Sequence, residues 1–587
     1  MTSQSNVLYI DLGRKSFYIK DRTELFNKWL GGIGVALQLY KEEAVKSANP
    51  LDSGNVIVLA IGPITSFYPL ASKVVAVFKS PLTGNYGESH AGGRSATAIR
   101  SAGYGAIVIK GVSDRPIYLV ISEKGVQFRD AATIWGMRST FTVGRVLREA
   151  SPEAGLRTII RIGRAGENLV RYACVVSETY RHFGRMGLGA VFGSKKLKAL
   201  IIYGKSSIRM PKIKIYRDTY DEVYKLAVKS DLMKKYHELG TSMNVSPINA
   251  LGALPTRNLS EGKFDWAEQI SGENLAAKKL GRRVACSHCP VACIHLATIR
   301  EPYPDEPYFY KTTFISYDYE LLYSLGSMLG ISDINGLLKL IDEVEVLGLD
   351  AISTGVVLAW ATEAYKKGMV KLNDLLVDLD WGKAEAYREA VNFIVDQPNE
   401  FYKTLAMGVD YASKIYGGQE FALSFGGNEM PGYHTGPAAY IGYLIGSRHS
   451  HLDAAGYSID QKMKNLSPQE MVDKLIEEES WRQILSSLVV CYFARGIYEP
   501  RIVKKTLSTL GYELDDEKLK ELGKRIYEEK QALKASQGFK PDELRVPERI
   551  FEVPTFHGLI DKNYIKIALD YYSQIFNTII KKNSILS

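Results

Sequence analysis

Three clustered cysteines and a distant fourth constrain this chain more than any other feature. Cys286, Cys289 and Cys293 lie in the run Ala-Cys-Ser-His-Cys-Pro-Val-Ala-Cys-Ile-His, and Cys491 lies far downstream in Leu-Val-Val-Cys-Tyr-Phe. Such a quartet predicts a four-thiolate metal site, and C-x2-C-x3-C with one remote cysteine suits an iron–sulfur cluster better than a zinc knuckle. A structural zinc, or Cys491 as a buried apolar residue, is the competing reading. A shared thiolate site forces distant parts of the chain to meet and clamps them together. The fifth cysteine, Cys174, alternates with apolar neighbours and reads as core.

At 587 residues the chain is too long for one core; roughly three to four domains of about 150 residues are expected. Up to about residue 208 it reads as β-rich, with β-branched runs beginning near residues 55, 73, 106, 116, 157, 171 and 199, separated by glycine-rich segments. The pattern then becomes helical, over 220–238, 335–347, 351–367, 383–396 and 400–416, and later over 468–490 and 515–537. Ser424-Phe-Gly-Gly-Asn and Met430-Pro-Gly-Tyr mark a boundary near residue 417. The expected fold is α+β: a β-rich domain (1–208), a helical domain carrying three of the cysteines (209–416), and a helical domain carrying the fourth (417–587). No repeat of fixed short period is visible.

The formal charge is +9, and no block of Lys and Arg interleaves with aromatics, so nucleic acid is excluded as a partner. The same surface suits an acidic protein. An odd, clustered set of five cysteines is no secreted disulfide framework. With no signal-like start and no apolar run of about 18 residues, no membrane contact is expected and the expected location is cytoplasmic.

Glycine turns admit phosphate close to backbone amides. Gly31-Gly32-Ile33-Gly34 and Lys79-Ser-Pro-Leu-Thr-Gly84 are such turns, but neither is a Walker loop and no dinucleotide fingerprint follows a first strand. Taken in order, the segments are more specific. Lys73-Val-Val-Ala-Val-Phe-Lys-Ser-Pro-Leu-Thr-Gly84 with Ser89-His-Ala-Gly-Gly93, Ile162-Gly-Arg-Ala-Gly-Glu-Asn-Leu-Val-Arg171, Arg181-His-Phe-Gly-Arg-Met-Gly-Leu-Gly189, Leu254-Pro-Thr-Arg-Asn258, the cysteine loop and Glu345-Val-Leu-Gly-Leu-Asp350 together resemble the aldehyde ferredoxin oxidoreductase family of tungsten–pterin enzymes.

The resemblance implies a tungsten (or molybdenum) bis-pterin centre at the meeting of three domains. The β-rich domain would form a saddle beneath the pterins. It also implies a [4Fe–4S] cluster on Cys286, Cys289, Cys293 and Cys491, a Mg2+ bridging the pterin phosphates, and ferredoxin as partner. The activity it implies is oxidation of a small-molecule aldehyde to a carboxylic acid, and the assembly it allows is a homodimer. Lys73, His90 and Gly92 match one pterin-binding segment. Arg181, His182, Gly184 and Arg185 match the other. Glu345, Leu349 and Asp350 match the first D-x-x-G-L clamp, and Ser486 and Val490 fall in the second. Glu320 matches a glutamate near the metal. Arg448 and His451 match a segment whose histidine also lies near the metal, with His449 competing because this copy is one residue shorter. A carboxylate of raised pKa takes a proton from water or a hydrated aldehyde, and an imidazole holds the substrate oxygen or relays a proton.

The chain also departs from the pattern. Lys73 and His90 replace arginine and asparagine, the second clamp reads Ser486-Ser-Leu-Val-Val-Cys491, and Asp453 stands where a basic residue is usual. These changes mark a divergent member. They keep two alternatives open: a reductive relative acting on acids or activated acids, and a catalytically silent paralogue. Loops 299–314 and 430–460 are expected to shape the substrate channel. The aromatics Tyr303, Tyr308, Phe309 and Tyr310 fit either a channel wall or packing against the domain.

Overall fold

The β-branched runs before residue 205 become strands of two six-stranded sheets in the computed structural model, which describes residues 5–151, 155–207, 210, 213–462 and 465–586. The first sheet contains β1 (Asn6–Asp11), β2 (Ser16–Asp21), β3 (Ile57–Ala60), β4 (Val74–Lys79), β5 (Tyr86–Ala91) and β6 (Ala106–Lys110) in the order β2-β1-β6-β3-β4-β5. The second contains β7 (Ile117–Ser122), β8 (Gly125–Asp130), β9 (Leu156–Ile162), β10 (Val175–Ser177), β11 (Arg181–Phe183) and β12 (Leu197–Gly204) in the order β8-β7-β12-β9-β10-β11. Adding six to each label converts one order into the other. Each sheet has one parallel pair, β1 with β6 and β7 with β12, and the other pairings are antiparallel. The β-rich region is thus a repeat of topology that short-period sequence comparison does not reveal.

β5 and β11 lie at corresponding edges of the two sheets. Each carries His-x-Gly at its end, His90-Ala-Gly92 and His182-Phe-Gly184. The two sheets therefore present the same short sequence from equivalent places.

Downstream helices follow the expected pattern, with breaks the periodicity does not show. The 220–238 helix is two, Ile213–Lys229 and Asp231–Leu239, and the 400–416 helix is Glu400–Leu405 and Val409–Tyr416. Cys491 lies beyond the end of helix Pro468–Ser487, not within it. The middle region also contains a three-stranded sheet, β13 (Leu280–Val284), β14 (Ile294–Tyr303) and β15 (Glu306–Tyr317). Segment 299–314 is therefore a hairpin rather than a loop. Tyr308 is 92% exposed and Phe309 64% exposed, so these rings neither wall a channel nor pack on the domain.

One apolar core runs through both helical regions, with Trp360, Tyr387, Tyr440 and Tyr572 all fully buried. No single helix among the described residues is long and apolar enough to cross a membrane. The bent pair Tyr319–Leu329 and Ile334–Leu347 passes by length and composition alone, and its apolar side chains belong to this core.

Two helix ends dock onto the two sheets in the same way. Helix Ile334–Leu347 ends in Gly348 at φ +80°, and Leu349 N–H donates to Val344 O at 3.1 Å. Helix Pro468–Ser487 ends in Leu488 and Val489, the latter at φ +53°, and Val490 N–H donates to Leu485 O at 2.9 Å. Reversal through a left-handed residue is the usual helix C-terminal device, and glycine is its preferred occupant. Gly163, directly after β9, lets the first turn approach: a Cβ there would sit 2.2 Å from Leu347 O. Gly62, shortly after β3, does the same for the second, with a Cβ 2.4 Å from Leu488 O. Replacing Gly62 or Gly163 by alanine is therefore expected to push a helix end off its sheet and lower both thermal stability and the resistance of the junction to proteolysis. Wild-type values of both would contradict this arrangement.

Candidate active site

The two docked turns bring the predicted clamp residues to corresponding places. Asp350 N–H donates to Tyr172 O (3.0 Å) beside the second sheet, and Cys491 N–H donates to Leu70 O (2.8 Å) beside the first. Asp350 and Cys491 occupy the same position in their turns, so one half presents a carboxylate and the other a thiol. Asp350 Oδ1 caps helix Ala351–Lys366, accepting from Ile352 N–H. Its Oδ2 meets Arg185 Nε at 3.1 Å and the Ser353 hydroxyl at 2.7 Å. Arg185 is further held by Glu429 O at 2.8 Å. Leu349 and Val490 are buried, as are Glu345 and Ser486. Burial pushes the Glu345 carboxyl well above its usual range, with Asp342 and Asp318 adding to the shift. Ser486 Oγ shares a 2.5 Å hydrogen bond with the Tyr492 phenol, so the serine replacing the usual acid has its own partner.

On the first half, His90 Nε2 lies 2.6 Å from Glu88 Oε1. Glu88 is fully buried, and it is ringed by Lys530, Arg448 and the Tyr86 hydroxyl. Burial opposes its charge, but Lys530 and Arg448 outweigh that and hold the carboxyl well below its usual range. Burial lowers the His90 pKa to about 4, so its imidazole is neutral. Lys73 sits over the Tyr492 ring. On the second half, His182 is half-buried and held near 3 by desolvation and by Arg181. Gly92 lies where a Cβ would come within 2.9 Å of Cys286 Sγ, and no other side-chain atom stands within 3.5 Å of it. Gly184 has open space around it, its nearest neighbour being His182 Cβ at 4.0 Å.

This setting fits an anionic cofactor with two equivalent arms. Arg181 Nε and Arg185 Nη1 are buried without a hydrogen-bond partner. Buried guanidinium donors without acceptors cost free energy unless a ligand supplies them. The repeated edge strands and helix turns supply two similar cradles.

The cysteines converge from the loop between β13 and β14 and from the second turn. Ser287 N–H donates to Gly93 O (2.9 Å), and Leu70 N–H donates to His288 O (3.1 Å), tying the loop to the first sheet. Desolvation pushes Cys289 up to about 12, with Cys293, Cys491 and Cys286 each adding to the shift. Cys293 rises to about 11 by burial against the opposing effect of Arg181, and Cys491 and Cys286 raise it further. Cys289 and Cys293 thus lie within electrostatic reach of each other and of both Cys286 and Cys491. Among the described residues, no three His, Cys, Asp or Glu side chains converge as a single metal ion would need. Cys174 is 2% exposed and burial pushes its thiol well above the usual range, as for a core residue.

Glu320 and His451 meet between the two halves. Asp318 caps helix Tyr319–Ser324 and so fixes Glu320 in its first turn. Glu320 Oε2 accepts from Gly432 N–H at 3.1 Å, and its Oε1 lies 3.4 Å from His451 Nε2. That distance lacks hydrogen-bond geometry, and both Glu320 Oε1 and His451 Nδ1 are buried without a partner. Desolvation raises Glu320 to about 8, and nearby Asp318 contributes. Desolvation and Arg185, Arg448 and Arg482 hold His451 well below its usual range. Near neutral pH this is therefore a protonated carboxyl facing a neutral imidazole, each with an unused polar atom.

His449 does not compete for this role. Its Nδ1 is 2.9 Å from Tyr443 O and its Nε2 is 3.1 Å from Lys534 Nζ, so the chain itself uses both nitrogens. Asp453 is equally structural. It accepts from Arg448 Nε (2.6 Å) and from the backbone N–H groups of Arg448 and Ser450, folding the His451 loop. Sequence reading missed Tyr433. Its ring lies 5.5 Å from His451, stacks on Tyr457 at 4.2 Å and packs against Tyr319 at 5.0 Å. The available signal, Met430-Pro-Gly-Tyr433, reads as a turn.

Residues 7–204 match the description "Aldehyde ferredoxin oxidoreductase, N-terminal domain", and residues 218–575 match "Aldehyde ferredoxin oxidoreductase, domains 2 & 3". The chain belongs to the aldehyde ferredoxin oxidoreductase family. It is 30% identical over 557 residues to the tungsten-containing aldehyde ferredoxin oxidoreductase of Pyrococcus furiosus, covering 91% of this chain and 89% of that one. The enzyme of the same description from Thermococcus kodakarensis is also 30% identical, over 559 residues, with the same coverage. A relative described as an aliphatic sulfonate oxidoreductase, WOR-like subunit, from Pyrococcus furiosus is 30% identical over 417 residues, 67% of this chain and 64% of that one. Among solved structures, the active site complex BamBC of benzoyl coenzyme A reductase superposes with a TM-score of 0.85, covering 98% of this chain and 94% of that one. At 20% identity that likeness shows the fold. Membership of the aldehyde ferredoxin oxidoreductase family makes the chain an oxidoreductase.

Proposed function

We propose that this oxidoreductase converts an aldehyde and water to a carboxylic acid, two protons and two electrons, and that ferredoxin takes the electrons. The observation that carries the reading is the Glu320–His451 pair, set where Glu320 Oε1, His451 Nδ1, Arg181 Nε and Arg185 Nη1 are all buried without a partner. Lys73, His90, Gly92, Arg181, His182, Gly184 and Arg185, with the turns at Glu345–Asp350 and 486–490, would hold a tungsten bis-pterin together with Mg2+. Molybdenum is the alternative metal. When bound, that centre supplies Lewis acidity and a sink for two electrons. Cys286, Cys289, Cys293 and Cys491 would hold a [4Fe–4S] cluster that passes the electrons on singly. A polynuclear cluster keeps its thiolates farther apart than a tetrahedral zinc does, which suits thiols that sense one another without converging on a point.

Glu320 accepts the proton in this scheme. It acts as a base only in its ionised form, so burial sets the pH at which it works. His451, neutral, offers one ring nitrogen to the substrate oxygen. The rings of Tyr433 and Tyr319 pack beside the pair and shield it from bulk water. Arg448 holds its loop through Asp453, which gives Asp453 a structural purpose and removes it as an argument for a silent protein.

The protonated state of Glu320 favours a second reading, reduction of an acid or activated acid, because a carboxylic acid of pKa about 8 donates a proton at neutral pH. The two directions predict opposite pH profiles for the metal-loaded protein. Dye-linked aldehyde oxidation is expected to rise with pH and level off above about 8. Reduction by the same protein is expected to fall over that range. Loaded protein that turns over no aldehyde in either direction refutes the proposal.

A further inference from the structure

The cysteine loop reaches the surface at one place, and the charges there are mostly of one sign. Ala285 and His288, within the loop, are exposed. Two elements flank it. β13 leads straight into Cys286 and exposes Arg282 and Arg283. Helix Asp231–Leu239 exposes Lys234 and Lys235. It is fixed to the loop by His237 Nδ1, 2.8 Å from Val291 O, and to the second turn by Tyr236, whose ring stacks on Phe493 at 4.5 Å. Arg495, close behind Cys491, is half-buried and reaches Tyr492 O. Among the described residues only Lys234 of these five cations pairs with a carboxylate, Asp231 at 3.4 Å. The acids on these flanking elements are Asp231 and Glu238.

We propose that this face, centred on the Cys286–Cys293 loop, is the docking surface for an acidic electron-carrier protein. The inference rests on the redox reading of the cysteine quartet. Electron tunnelling weakens steeply with distance, so the carrier must dock where the thiolates lie nearest to solvent. Unpaired cations at that place attract an acidic partner and orient it, an effect that salt screens. The exposed aromatic hairpin at Tyr308 mixes Arg300 and Lys311 with Glu301, Asp305 and Glu306 and is the contrasting surface.

The test uses the metal-loaded protein and an acidic [4Fe–4S] ferredoxin as probe. Equilibrium binding and ferredoxin-linked turnover are measured at low and high salt, with a small viologen as the alternative acceptor. Reversing charge by Lys235→Glu, Arg282→Glu and Arg283→Glu together is expected to weaken ferredoxin binding at least tenfold and flatten its salt dependence, with viologen-linked turnover unchanged. The neutral set Lys235→Gln, Arg282→Gln and Arg283→Gln gives an intermediate loss and serves if the reversed protein fails to fold. Unchanged ferredoxin affinity in either set overturns the docking face. Absence of viologen-linked turnover in the unaltered protein instead overturns the proposed function, and the binding measurement still reports on the face.

Discussion

Glu320→Gln is expected to lower aldehyde turnover by about 10²-fold or more while leaving bound metal and pterin at wild-type levels. The amide keeps the volume of the carboxyl and its contact with Gly432 N–H, so the fold has no reason to change. What it loses is the ability to take a proton. Glu320 Oε1 is buried without a partner, which is how a buried acid is left when its partner is a substrate rather than the protein. Desolvation also shifts stability. A carboxyl raised to about 8 stays protonated in the folded state after its unfolded counterpart has ionised. Its stabilising effect is complete below the unfolded pKa, declines as pH climbs through the window between the two values, and is lost above about 8. Glu320→Gln cannot ionise in either state, so the variant is expected to gain stability relative to wild type as pH rises from about 5 to 8. Parallel melting curves across that range would contradict the buried state of Glu320.

Cys491→Ser is expected to lose most of its iron and to melt at lower temperature than wild type. Cys491 is the only cysteine of the four from the last third of the chain, and its turn docks on the first sheet through Leu70 O. A cluster ligated there couples the helical region to the β-rich one, and metal-binding free energy becomes folding free energy. Cys174→Ser is the control. Its thiol is buried away from the quartet, and the substitution leaves iron unchanged. Full iron content in Cys491→Ser would remove it from the ligand set.

Much of this site was legible in the sequence because its parts are punctuation. Cysteine spacing, His-x-Gly at two edge strands and the Glu345-x-x-Gly-Leu-Asp run survive as short motifs, and the strands between them are plain β-branched runs. The pairing of the two halves was not legible. Gly62 and Gly163 do equivalent work, and so do Gly348 and Val489, but only three-dimensional register relates them. Gly31-Gly32-Ile-Gly34 reads as a phosphate turn, yet Gly32 is buried where a Cβ would sit 2.2 Å from Ser486 O, so its smallness serves packing. Position 489 shows the opposite problem. Valine at φ +53° hides a left-handed turn that glycine would have announced. His449 and His451 stand two residues apart, and only their partners tell the structural one from the one facing Glu320. The hairpin at 294–317 carries no clean alternation along its first strand, which is buried on both faces at its base and exposed on both at its tip, so only the β14–β15 pairing reveals it.

In the proposed enzyme a two-electron metal centre and an iron–sulfur cluster share the junction of the β-rich and helical regions. Metal analysis tests it most directly, on protein purified without oxygen from cells supplied with both tungstate and molybdate. The account predicts about one tungsten or molybdenum and about four irons per chain, with pterin present. Protein that folds normally yet carries neither iron nor pterin-bound metal would contradict it.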